Sequence, residues 1–187
     1  MTKAPKSRGL AAGKSPHDPE TLTGLAPVVS PHARVLLLGS MPGARSLAEQ
    51  RYYAHPRNAF WKVAEALFGV SSEAPYEERL AGLRESGVAL WDVIGRCRRS
   101  GSLDQSIDAG SIVVNDFAGL FRICPGIRRI GFNGAMAERC WRRHVRGNLP
   151  EAYAAIECVR LPSTSPAHAA LSLHDKIRAW RTGLSPP

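Results

Sequence analysis

An alternation of two apolar patterns constrains this chain more than any other feature. Four short runs rich in branched side chains, Arg34 to Leu38, Gly87 to Trp91, Arg128 to Phe132 and Glu157 to Leu161, read as strands, each leading into a turn of small or polar residues. Ala59 to Phe68, Tyr76 to Ser86 and Ala135 to His144 carry apolar residues at three- and four-residue spacing and read as helices. Strands that alternate with helices need crossover connections, so the sheet they form is mostly parallel and covered on both faces. The expectation is an α/β fold, a three-layer αβα sandwich around a mostly parallel four-stranded central sheet, with no internal repeat.

A chain of 187 residues that is 44% hydrophobic buries one sizeable core and is too short for two ordinary domains. Residues 1–30 are rich in Lys, Pro, Gly, Ser and Thr, with few large apolar groups to offset the entropy of ordering. They are expected to form a flexible basic arm ahead of one catalytic domain spanning 31–187. Twenty-five Lys and Arg against 16 Asp and Glu leave a formal charge of +9, which favours a polyanionic partner. Cys97, Cys124, Cys140 and Cys158 stand singly, without the close pairs of zinc or iron–sulfur sites, so no metal is expected. No apolar run is long enough to span a bilayer, and none follows the N-terminal basic residues as a signal peptide would require. A monomer without membrane contact, in a reducing cytoplasmic compartment with free thiols, is expected.

In parallel sheets of this kind the site lies beyond the carboxyl ends of the strands, where helix N-termini present free amides. The chemistry-bearing residues fall at those positions: Gly39 to Gly43 after the first run, Asp92 after the second, Asn133 and Gly134 after the third, and Pro162 to His168 after the fourth. A further segment, Tyr52 to Trp61, crowds aromatic, basic and amide side chains at a helix entrance. Each feature has an ordinary reading as well. Asn58 suits the cap of the following helix, Tyr53 either stacks on a ligand or packs, Asp92 caps or pairs with Arg, and Asn133 suits an Asn-Gly turn. Phe60 and Trp61 belong to the apolar pattern of the helix and read as core.

The pairing of Gly39-Ser40-Met41-Pro42-Gly43 with Tyr53-Ala54-His55-Pro56-Arg57-Asn58-Ala59-Phe60-Trp61, followed by Leu161-Pro162-Ser163-Thr164-Ser165-Pro166-Ala167-His168, resembles the uracil-DNA glycosylase superfamily, over about residues 34–170. Its hypoxanthine-DNA glycosylase branch is the most similar. The mismatch-specific uracil/thymine glycosylases share the Ala-His-Pro-x-Asn and Phe-Trp elements and form the alternative, together with a non-catalytic DNA-binding module of the same fold. Two departures argue against the usual uracil enzyme. Met41 stands where many members carry a water-handling Asp or Asn, and Leu161 stands where the last motif often begins with His or Asn.

The resemblance implies an enzyme that flips a deaminated base out of DNA and hydrolyses its glycosidic bond, with Asn58 as the catalytic residue and no metal or nucleotide cofactor. An amide is a poor base, but it orients a water by accepting a hydrogen bond, and an oxocarbenium-like sugar needs only a weak nucleophile. Hypoxanthine presents an N1–H donor and an O6 acceptor. Asp92 is therefore expected to accept from N1–H, and the Asn133 side chain, or the amides near Gly134, to donate to O6. Tyr53 would stack on the base, while Ser40, Gly43, Ser163, Ser165 and His168 would contact the DNA backbone.

Overall fold

The structure is a computed structural model that describes residues 21–185. The central sheet has four parallel strands in the order β3-β2-β6-β7, formed by β2 (Val35–Gly39), β3 (Val88–Asp92), β6 (Arg129–Asn133) and β7 (Glu157–Leu161). The four apolar runs are these strands, displaced by a residue in three cases. Leu36, Leu37 and Leu38 of the inner strand β2 are all fully buried, because a parallel strand flanked by helices has no solvent face. At the outer strand β7 the pattern relaxes and Glu157, Cys158 and Arg160 are exposed.

Helices cover both faces. On β6 the adjacent residues Gly131 and Phe132 point opposite ways, as strand geometry requires. A Cβ on Gly131 would meet Leu184 of α6 (Leu173–Leu184) at 3.1 Å and Leu161 at 2.8 Å, so only glycine admits that helix. Phe132 instead packs on Trp141 of α5 (Ala135–His144). Beside α6 lies α2 (Phe60–Phe68), joined through the edge contact of Phe60 with Trp180, and α3 (Tyr76–Glu85) packs on both β3 and α2. On the α5 side, α4 (Phe117–Ile123) brings Phe117 and Phe121 against Trp141. A short helix, α1 (Ala44–Glu49), follows β2.

A second sheet lies outside the expected plan. β1 (Thr21–Thr23), β4 (Ile94–Arg98) and β5 (Val113–Val114) form a three-stranded antiparallel sheet in the order β1-β4-β5. Only Val93 separates β4 from β3, so the chain passes directly from one sheet into the other. A register shift between Ile94 and Arg96 breaks the alternation that would have marked β4 as a strand.

The expected boundary of the basic arm at residue 30 is corrected by this arrangement. Thr21 to Thr23 pair with β4, and Val28 exchanges two backbone hydrogen bonds of 2.9 Å with Leu90 on the otherwise open edge of β3. Leu25 and Val28 are buried, and the indole of Trp91 donates to the Leu25 carbonyl at 3.0 Å. Two apolar side chains suffice here because their backbone completes a sheet edge. The rest of the expected arm, residues 1–20, lies outside the described residues.

Candidate active site

The strand tips and the Tyr52 to Asn58 segment surround one cavity of about 640 Å³. Its wall contains all nine residues proposed from sequence, Ser40, Gly43, Tyr53, Asn58, Asp92, Asn133, Ser163, Ser165 and His168. It also contains groups that the sequence reading did not select, among them Asp104, Arg139 and Thr164.

At the bottom lies Asp92, 4% exposed, at the end of β3. Its carboxyl rests over the end of β2, where a Cβ on Gly39 would come within 2.2 Å of Oδ1. Gly39 is therefore a glycine because Asp92 occupies the space above it, a pairing set by the parallel register of Gly39 with Asp92. Burial first, and then the nearby Asp104 charge, push the Asp92 carboxyl up to about 7, while Arg99 acts in the opposite direction. Asp92 Oδ2 is buried and has no hydrogen-bond partner.

Tyr53 forms a side wall. Its backbone has φ of 53°, a left-handed conformation that costs a non-glycine residue energy. Its ring stacks on Phe60 at 3.9 Å with 17° between planes, which leaves one face for a ligand. Burial, followed by the Asp92 charge, raises the phenol well above its ordinary range, so the hydroxyl stays protonated.

Asn133 has a different position in the network from the one expected. Its Nδ2 donates to the Tyr53 hydroxyl at 3.0 Å and to Thr164 Oγ1 at 2.8 Å, and its Oδ1 accepts from the Thr164 amide at 2.8 Å. Both amide protons are committed, so the side chain has none left for O6 of a base. Asn133 instead brackets the last loop, and the Thr164 carbonyl continues that link by accepting from the Ala59 amide at 2.9 Å. Thr164 is 1% exposed, and its inward turn is invisible in a run of three hydroxyl residues.

Asn58 lines the site, and the cap of α2 is Ala59 rather than Asn58, which lies one residue before it. Its Oδ1 accepts from the Phe60 amide at 3.0 Å at the entrance of α2, which fixes the side chain and leaves a second lone pair and Nδ2. In the last loop, Ser163 Oγ accepts from the Ser165 amide at 3.2 Å and Ser165 Oγ from the Ala167 amide at 3.3 Å, so each hydroxyl keeps its proton to donate. His168 is exposed at the rim, and its carbonyl accepts from Lys176 at 2.8 Å. Gly43 begins α1 with open space where a Cβ would sit.

Ser40 is corrected. Its Oγ lies 2.8 Å from both carboxylate oxygens of Asp104, to which it donates. A phosphate placed there would meet a carboxylate, so Ser40 does not suit a phosphate grip. Asp104 escaped the sequence reading because it sits in a turn after β4, a strand that was itself missed. Arg99, 3% exposed, braces the same corner by donating to the Pro42 carbonyl at 2.6 Å and the Gly101 carbonyl at 3.0 Å. Among the described residues no cluster of His, Cys, Asp and Glu is placed to hold a metal ion.

A polar cavity at the tips of a four-stranded parallel sheet, built from these motifs, has a clear counterpart among known proteins. A sequence profile of the Uracil DNA glycosylase superfamily matches residues 26–181. The chain belongs to that superfamily. The match starts at residue 26, within the segment that docks on β3, so the family's extent agrees with the corrected boundary. Two relatives are described as hypoxanthine DNA glycosylases. The protein from Methanosarcina acetivorans is 36% identical over 115 residues, 61% of this chain and 72% of the relative. The one from Methanosarcina barkeri is 34% identical over 112 residues, 59% and 70% of the two chains. A solution NMR structure from Methanosarcina acetivorans, described as a candidate uracil DNA glycosylase, superposes with a TM-score of 0.71 at 30% identity, covering 87% of this chain and 98% of that one. This glycosylase fold thus carries its site where parallel α/β sheets carry theirs, and within the family's first motif it holds Met41, buried at 6% exposure, in place of an acid or amide.

Proposed function

We propose that this protein is a DNA glycosylase that removes hypoxanthine from deoxyinosine in DNA and leaves an abasic site. The observation that carries the reading is Asp92, which lines the cavity with a buried carboxyl whose Oδ2 has no hydrogen-bond partner. An orphan acceptor costs free energy that a ligand N–H recovers, and N1–H of hypoxanthine supplies one where adenine has none. The two Methanosarcina relatives, described as hypoxanthine DNA glycosylases, support the same substrate.

In this reading Asn58 orients the attacking water through its remaining lone pair. The unpaired amides of Ala135 and Met136, in the first turn of α5, donate to O6, and the helix N-terminus favours the negative charge that develops on the departing base. Asn133 holds Tyr53 and Thr164 in place, and the free face of Tyr53 stacks on the flipped base. Ser163, Ser165, Gly43 and His168 meet the DNA backbone. In this reading every role named above is filled from within one chain. Its free thiols suit the reducing interior of the cell.

The test is release of free base from duplexes carrying one inosine, uracil, mismatched thymine or xanthine. Hypoxanthine release by the intact protein is expected, with Asn58→Ala slowing it about 100-fold or more while the variant still binds the duplex. Release of uracil or thymine alone would move the substrate to the mismatch-specific reading. Undiminished release by the Asn58→Ala protein would remove Asn58 from the chemistry.

A further inference from the structure

The Ser40–Asp104 pair is a part of the cavity that the roles above leave unused. Asp104 begins the short turn Asp104–Ser106 beyond β4, and this turn reaches the tip of β2 from the side sheet. One Ser40 hydroxyl proton is shared between both carboxylate oxygens at 2.8 Å each, which fixes the group and leaves most of its acceptor capacity free. Asp104 and Asn58 line the same cavity.

Two carboxyl groups in one cavity do not ionise alike, and their surroundings separate them. Asp92 is fully enclosed with an unpartnered oxygen, and burial followed by the Asp104 charge pushes its carboxyl up to about 7. For Asp104 burial likewise raises the carboxyl above its ordinary range, against the opposing effects of Ser40, Arg99 and Arg139. Asp104 accepts the Ser40 hydroxyl on both oxygens whereas Asp92 Oδ2 has no donor, so the negative charge of the pair is better held on Asp104. A carboxylate in a DNA-binding cavity is costly beside phosphates, and hydrolysis of a nucleoside develops one group that it favours, a cationic sugar.

We propose that Asp104, seated by Ser40, is a second catalytic residue of this protein, acting with Asn58 on the water that attacks the sugar. The proposal rests on the glycosylase reading of the cavity. As the bond from C1′ to N9 breaks, its electron pair leaves with the purine, and the Asp104 carboxylate offsets the charge on the sugar ring. The water held by Asn58 forms the new bond to C1′ and gives its proton to Asp104, which passes it to solvent. The purine anion takes a proton in return, so the products are an abasic sugar and the neutral base. This supplies the carboxylate that Met41 cannot provide, from a different segment of the chain.

Asp104→Asn keeps the size of the side chain and an acceptor for Ser40 but removes the charge. Single-turnover release, run on whichever duplex the intact protein opens, is expected to fall about 100-fold. Affinity for a duplex bearing a stable abasic-site analogue should hold or tighten, because a negative charge has left the DNA face. Asp104→Glu is expected to recover part of the rate, and an unchanged thermal midpoint excludes unfolding as the cause. Release by Asp104→Asn within threefold of the intact protein, or a loss matched by an equal loss of binding, would overturn the proposal. So would a rate for Asp104→Glu no higher than that of Asp104→Asn. Release of uracil rather than hypoxanthine changes the substrate and leaves the comparison of variants valid. Release of no base at all by the intact protein overturns both readings.

Discussion

At the residue scale the site depends on groups that serve structure and chemistry together. Asn58 ties the approach to α2 through the Phe60 amide, with Ala59 as the cap, and still offers a lone pair, so a structural bond and a role as water ligand are compatible. Asp92 has a measurable consequence for stability. An unfolded aspartate titrates near 3.8, whereas burial moves this one up to about 7, with Asp104, Tyr53 and Arg99 nearby. Between those values the folded protein holds a proton that the unfolded chain has released. The stability Asp92 contributes is complete below pH 4 and is lost as pH rises through 7, on the order of a few kcal/mol. Asp92→Asn has no such proton to lose, so its melting temperature minus that of the intact protein should increase from pH 5 to pH 8. A difference constant over that range would mean that Asp92 is ionised throughout.

At the element scale the last loop is held by one side chain of β6. Asn133 makes three hydrogen bonds that connect β6, the Tyr53 segment and the loop after β7. Removing it strands the buried Thr164 amide, which alone costs about 1–3 kcal/mol. Asn133→Ala is expected to lower the stability measured by urea unfolding by about that much. It should also weaken DNA binding as well as slow base release, because Ser163 and Ser165 lose their support. A slow enzyme with unaltered binding would return Asn133 to direct contact with the base. The sequence displayed Asn133 at a strand tip but not its partners, since Tyr53 and Thr164 are distant along the chain and meet it only through the sheet.

At the scale of the whole molecule, the chain ahead of the first parallel strand closes the sheet. Leu25 and Val28 contribute about 1.5–3 kcal/mol each by burial, and Val28 pairs with the edge of β3 beside Asp92. Deleting residues 1–30 is therefore expected to cost several kcal/mol in urea unfolding and to disturb the site through β3, whereas an arm without a structural role would leave the unfolding midpoint unchanged. Composition concealed this role, because a segment with few apolar residues reads as unable to fold when its partner is a remote strand.

The division between what was legible and what was not follows from the range of the interactions. Local periodicity determined the four central strands and the helices α2, α3 and α5, but not α4 or the long α6, because a parallel strand buried on both faces and an amphipathic helix write their environments into consecutive residues. The motifs at the strand tips marked where the chemistry lies, because residues with special backbone or hydrogen-bonding demands cluster there. Only the tertiary structure decided which of those residues are free. Asn133 is committed to Thr164, Ser40 is committed to Asp104, and Asp92 is left without a partner, each through contacts between segments that no local pattern links. Asp104 shows the same principle, since its proximity to Ser40 arises from the turn between two sheets and its significance from the charges that the fold gathers around it.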